Sequence, residues 1–147
     1  MSDDEAAIAH DLLPADARAL FDGMPVADRR HALDVVQRLV AAGHDDRDLL
    51  AAALLHDAAK GHRMRLWHRV AGVLLASVAP ALLRRLASAD PGSWRHPFHL
   101  YLHHARLSAD LARAAGCSER AAAFVRGAPA PADVHLGRAL EVADDAS

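Results

Sequence analysis

Cysteine is nearly missing from this chain, and aromatic side chains are scarce. The single Cys117 rules out an internal disulfide and any metal site built on a cysteine pair, and it points to a reducing compartment, the cytoplasm. Aromatics are 4% of 147 residues against 52% hydrophobic overall, so one domain's core must be filled mainly by Ala, Leu and Val. β-Branched residues other than Val are few, which favours helices, because unbranched side chains lose less rotamer freedom there. An excess of positive charge is also lacking: the formal net charge is -2. That removes the bulk electrostatic reason to expect nucleic acid or an anionic membrane as partner. No apolar run is long enough to cross a bilayer. Val70 to Leu83 is uncharged but contains Pro80 and stops at Arg84, short of the ~18 residues required; it reads as a buried helix pair broken at Pro80. The opening Met1-Ser2-Asp3-Asp4-Glu5 is acidic where a secretory signal is basic, so export is not expected. Repeats and low-complexity linkers are absent.

What is present is a series of helical segments cut by turn residues. Ile8 to Phe21 is interrupted by Pro14. A second segment opens near Asp28 as N-cap and closes at Gly43, with Ala32, Val35, Val36, Leu39 and Val40 at helical spacing. A third starts at Asp45-Asp46 and runs to Gly61 after Lys60, with charges that suit the helix dipole at both ends. Helices are then predicted from Phe98 to Ala115, from Ser118 to Arg126 and from Asp133 onward, with a loop at Gly127-Ala128-Pro129-Ala130-Pro131. The expected fold is all-α: a compact single-domain bundle over residues 27–147, with a helical segment over residues 1–26 packed on it.

Polar residues interrupt the apolar faces at a few places. His31 lies four residues before Val35 and eight before Leu39, which places it on the buried stripe of its helix. His56 shares a face with Leu49 and Ala53, and Asp57 shares the next with Leu50 and Leu54. A buried aspartate costs several kcal/mol unless it meets a cation, a donor or a metal. The simpler alternative is a locally paired Asp57 beside a core histidine. Lys60 is the only lysine among 17 basic residues, a compact charge three positions after Asp57, suited to a phosphate or to that carboxylate.

Arg30-His31-Ala32-Leu33-Asp34-Val35 followed by Leu54-Leu55-His56-Asp57-Ala58-Ala59-Lys60-Gly61 resembles the HD superfamily of metal-dependent phosphohydrolases, over roughly Arg29 to Asp144. The resemblance implies a bundle of the HD-domain type in which His31, His56 and Asp57 are metal ligands, with a late aspartate as the fourth. Asp144 and Asp145 compete for that place. Asp144 continues the four-residue stripe of Leu136 and Leu140, whereas Asp145 lies with Arg138 and Glu141, so spacing favours Asp144. His104-Ala105-Arg106-Leu107-Ser108-Ala109-Asp110-Leu111 resembles the segment that supplies a second-metal histidine in the HD-GYP branch, with His104 inward and His103 outward. The His-His pair that branch places after the next helix is replaced here by Val125-Arg126-Gly127-Ala128-Pro129, and the Gly-Tyr-Pro element is absent. One metal is therefore expected, and cyclic dinucleotide hydrolysis is not.

The set suits one divalent ion, Mn, Fe, Co, Ni, Zn or Mg. The implied reaction is hydrolysis of a nucleotide or other small phosphoester, with Asp57 orienting or deprotonating water and Lys60 or His104 balancing phosphate charge. A catalytically inactive HD-like module that binds a nucleotide or a protein is the alternative; a third is a helical interaction domain without metal. Arg63, Arg65 and Arg69 form an anionic-substrate rim or simply an exposed helix face, and Trp67 and Trp94 are assigned to the edge of the core. The other histidines are assigned to solvated surface.

Overall fold

Prolines set the early helix boundaries. In the computed structural model, which describes residues 3–59, 80–87, 89 and 96–147, Pro14 separates α1 (Asp3–Leu12) from α2 (Ala15–Asp22), and extended Pro25 precedes α3 (Val26–Ala41). α3 thus begins before Asp28, which is not its cap: Asp28 is buried in the first turn, where a carboxylate still favours the helix dipole. At the other end of α3, Gly43 adopts φ 86, a left-handed conformation that only glycine takes without steric cost. Its N–H donates to Val40 O and that of His44 to Leu39 O, both at 2.9 Å, which closes the helix in the manner of a Schellman motif.

α4 (Arg47–Leu55) is capped by Asp46, whose side chain accepts from Leu49 N at 3.0 Å. Every residue from Leu49 to Leu55 is buried, as expected of a helix that is apolar all round. It is the central element, contacting α1, α3, α7 (Glu119–Arg126) and α8 (Val134–Asp145). α5 (Pro80–Leu86) packs on α6 (His96–Ala114), which in turn packs extensively on α7; a short 3-10 turn, Pro131–Asp133, leads into α8. The described residues contain eight α-helices and no strand, and one apolar cluster joins Ala9, Leu13 and Phe21 of the N-terminal segment to Leu39, Leu54, Phe124 and Leu140. The chain is an all-α single-domain bundle.

Several details depart from the sequence pattern. Val40 is 54% exposed at the edge of α3, and Leu33 takes its place in the core. α6 buries Ser108, Ala109 and Ala112 while Leu111 is 41% exposed; these small side chains let α6 and α7 approach closely. The stretch read as a buried helix pair lies largely in residues 60–79, outside the described residues. Its described end is a two-turn helix that Pro80 begins, with Leu82, Arg84 and Arg85 exposed. No helix among the described residues is long and apolar enough to cross a membrane.

The end of α4 remote from the site is held by Arg120. Its guanidinium donates to both oxygens of Asp46 at 2.8 Å and to both of Asp133 at 2.9 and 2.8 Å, and it lies 5.2 Å from the centroid of the Phe124 ring. Ser118, the cap of α7, donates to Asp48 at 2.7 Å. The starts of α4 and α7 are thereby tied to the turn that opens α8.

Candidate metal centre

Three elements far apart in sequence deliver the site. His31 comes from the second turn of α3, His56 from the turn that follows α4, and Asp144 from the last turn of α8. Their ligand atoms all lie within 4.8 Å of one another. A ring N–H of His31, at Nε2, donates to Asp144 Oδ1 at 2.8 Å. His56 Nε2 lies 3.2 Å from the same oxygen and 3.7 Å from Asp57 Oδ1, yet it is buried and makes a hydrogen bond with neither. The other nitrogen of His56, Nδ1, donates to Ala53 O at 2.8 Å. In the neutral ring that contact leaves Nε2 with its lone pair facing Asp144, the arrangement metal-binding histidines use.

The donor set fits an ion. Atoms bound at ~2.0–2.2 Å to one metal stand ~2.8–3.6 Å apart, and the two separations at Asp144 Oδ1 fall in that range. Two imidazoles and a carboxylate suit first-row divalent metals. Asp57, 3% exposed and expected from the sequence as a ligand, is not brought into the group that converges within 4.8 Å. Asp144 is the late aspartate that faces the histidines; Asp145 is exposed.

The charges respond to this proximity. Burial alone lowers the pKa of His56, but the Asp144 and Asp57 carboxylates outweigh it and the net shift is upward. His31 first, then His56, hold the Asp144 carboxyl well below the usual carboxylate range despite partial burial. Without an ion, a proton on His56 offsets the negative charge. A divalent cation competes for the same place.

The His-Asp turn departs from the expected geometry: α4 ends at Leu55, and residues 56–59 form a turn. In a continuing helix Ala59 N–H would donate to Leu55 O; instead it donates to the Ser108 hydroxyl at 3.0 Å, and Ala58 N–H takes Leu55 O. Ser108 is fully buried on α6, and the sequence pattern does not single it out. Ser108→Ala is expected to remove the partner of the part-buried Ala59 N–H, lowering stability by ~1 kcal/mol, and to lower metal affinity by roughly tenfold through a looser turn. Thermal melts with and without metal check both effects. Unchanged metal affinity would reduce Ser108 to a packing role.

His56 and Asp144 open onto a cleft of about 480 Å³ that His104 also lines. Val125 to Pro129, Gly137 and Leu140 line it as well. Gly127, at φ 72, turns the chain after α7, and Pro129 then packs so closely on α8 that a Cβ at Gly137 would lie 2.7 Å from its Cγ. His103 is exposed and His104 half-buried, the orientation read from the sequence. Arg126 and Arg138 also line the cleft; sequence reading missed both, since only the fold of the intervening loop brings them together. Lys60, Arg63, Arg65, Arg69, Trp67 and Trp94 lie outside the described residues. No family model, curated protein or solved structure matches the chain.

Proposed function

We propose that the protein is a metal-dependent phosphohydrolase of the HD type, acting on a nucleotide or other small phosphoester with one divalent ion. The observation that carries this reading is the convergence of His31, His56 and Asp144 from two helices and the turn after α4, with His56 and Asp144 lining a cleft of ligand size. The ion would rest on those three, with Asp57 as a further ligand or as the group that handles the proton. It supplies Lewis acidity toward water and the phosphoryl group. Water adds to phosphorus, the ester P–O bond breaks, and the proton that water gives up passes through the Asp57 carboxylate to the departing alcohol. His104, in its protonated form, offsets charge on the phosphate from the side of the cleft. Lys60, three positions after Asp57 in the sequence, is assigned the same task.

The test is phosphate release from a panel of nucleoside phosphates and simple phosphate esters, with Mn²⁺, Co²⁺, Ni²⁺ or Zn²⁺ and with a chelator. The expected result is metal-dependent turnover of at least one class, abolished by the chelator. The apolar Val125 and Pro129, where a two-metal site would need imidazoles, favour a second reading as a binding module. Ligand-induced stabilisation with no turnover on any ester would select it.

A further inference from the structure

The cleft is lined by two chemically different sets of side chains, His56 and Asp144 on the one hand and Arg126 and Arg138 on the other. Arg138 and Asp144 are six residues apart on α8, which separates them by ~9 Å along the axis at ~1.5 Å per residue. Side chains on a helix lean toward its N-terminus, so Arg138 is carried further from the histidines. Arg126 joins it through the loop: the contact of Pro129 with Gly137 fixes the chain three residues after Arg126 against the residue next to Arg138. Both arginines are exposed, and neither makes an ion pair or hydrogen bond with any described residue. Arg113 and Arg120, by contrast, are committed to carboxylates.

We propose that Arg126 and Arg138 form an anion subsite, so that the cleft takes a phosphate ester whose alcohol half carries a second anionic group ~9 Å away across an uncharged spacer. The Asp144 end of this proposal rests on the metal-hydrolase reading; the arginine end does not. The spacer meets Val125, Pro129 and Leu140, which are apolar. Glu141, an exposed carboxylate midway between Arg138 and Asp144 that also lines the cleft, repels negative charge placed between the two ends. The preference is therefore for two separated anions, not a continuous chain of phosphates.

Calorimetric titration of the full chain loaded with Mn²⁺ tests this, using butyl phosphate, butane-1,4-diol bisphosphate and the shorter ethane-1,2-diol bisphosphate as probes. The butane bisphosphate is expected to bind about tenfold tighter than butyl phosphate, since two guanidiniums would meet its second phosphate through charge-assisted contacts. The ethane compound, too short to span the ends, should gain little. Arg126→Ala and Arg138→Ala should each remove most of the gain while leaving butyl phosphate and Mn²⁺ affinity unchanged; both positions are exposed, and circular dichroism checks that the fold is intact. Equal affinity for the butane bisphosphate and butyl phosphate, or a gain that survives both substitutions, overturns the subsite. A parallel Mn²⁺ titration separates the two readings: no Mn²⁺ binding with the arginine-dependent gain intact overturns the metal reading and supports the subsite.

Discussion

Asp144→Asn is expected to weaken binding of Mn²⁺ or Zn²⁺ by ~100-fold or more, whereas Asp145→Asn, one position along, should bind as the unaltered protein does. Loss of a group that merely orients a ligand typically costs ~10–100-fold in metal affinity, and a direct ligand carries more. The amide keeps the shape of the carboxylate but not its charge, and it offers the ion a poorer donor. Asp144 is half-exposed at the end of α8, with a side chain 42% accessible, so the substitution has little to disturb in the core. Phosphate release at limiting metal should fall in parallel. Competition against a chromophoric chelator reads the affinity directly, and equal affinities for the two variants would remove Asp144 from the ligand set.

The second large effect is a reversal of pH dependence on adding metal. In the metal-free protein His56 has a raised pKa, so the folded state holds a proton more tightly than the unfolded chain does. Its stabilising contribution is complete below the unfolded value of 6.5 and is lost as pH rises through the folded value. Asp144 is depressed; its contribution is complete above the unfolded 3.8 and is lost as pH falls through the folded value. Chelated protein should therefore gain most from this cluster between those two unfolded values, and its Tm should decline on the alkaline side. The acid limb is shared with Asp133 and Asp46. Arg120 holds Asp133 ionised, and at Asp46 burial pushes the pKa up but is outweighed by Arg120 together with the Leu49 and Asp48 N–H groups, so the alkaline limb is the diagnostic one. A bound divalent ion requires the His56 nitrogen without its proton, so the increment in Tm from metal should grow as pH rises from 5.5 to 8. Scanning calorimetry with and without chelator measures both slopes. In Asp144→Asn the metal increment should vanish across the range, and an increment that shrinks with rising pH would contradict the account.

Local chemistry made much of the fold legible. Gly43 and Gly127 mark helix ends because a left-handed residue there is nearly always glycine, and Asp46 and Ser118 mark starts because their side chains accept from backbone N–H groups two or three residues on. Asp28 misled for a related reason: it has a capping side chain, but Pro25 had already set the start of α3. The site was legible where one helix face decides orientation, as for His31 and for Asp144 over Asp145. It was not legible where a distant contact decides. The end of α4 at Leu55 depends on a hydroxyl 49 residues away from Ala59, and Ala58 and Ala59 carry no local signal against continuing the helix. Arg126 and Arg138 read as ordinary surface charges until the turn at Gly127 and the contact of Pro129 with Gly137 bring them to one cleft.

The central claim is that His31, His56 and Asp144 hold one divalent ion, and elemental analysis of protein purified without chelator or affinity tag tests it most directly. The account predicts a metal-to-protein ratio near one, falling to near zero in Asp144→Asn. A ratio near zero after exposure to Mn²⁺, Co²⁺, Ni²⁺ and Zn²⁺ in turn, or two tight equivalents per chain, would contradict it.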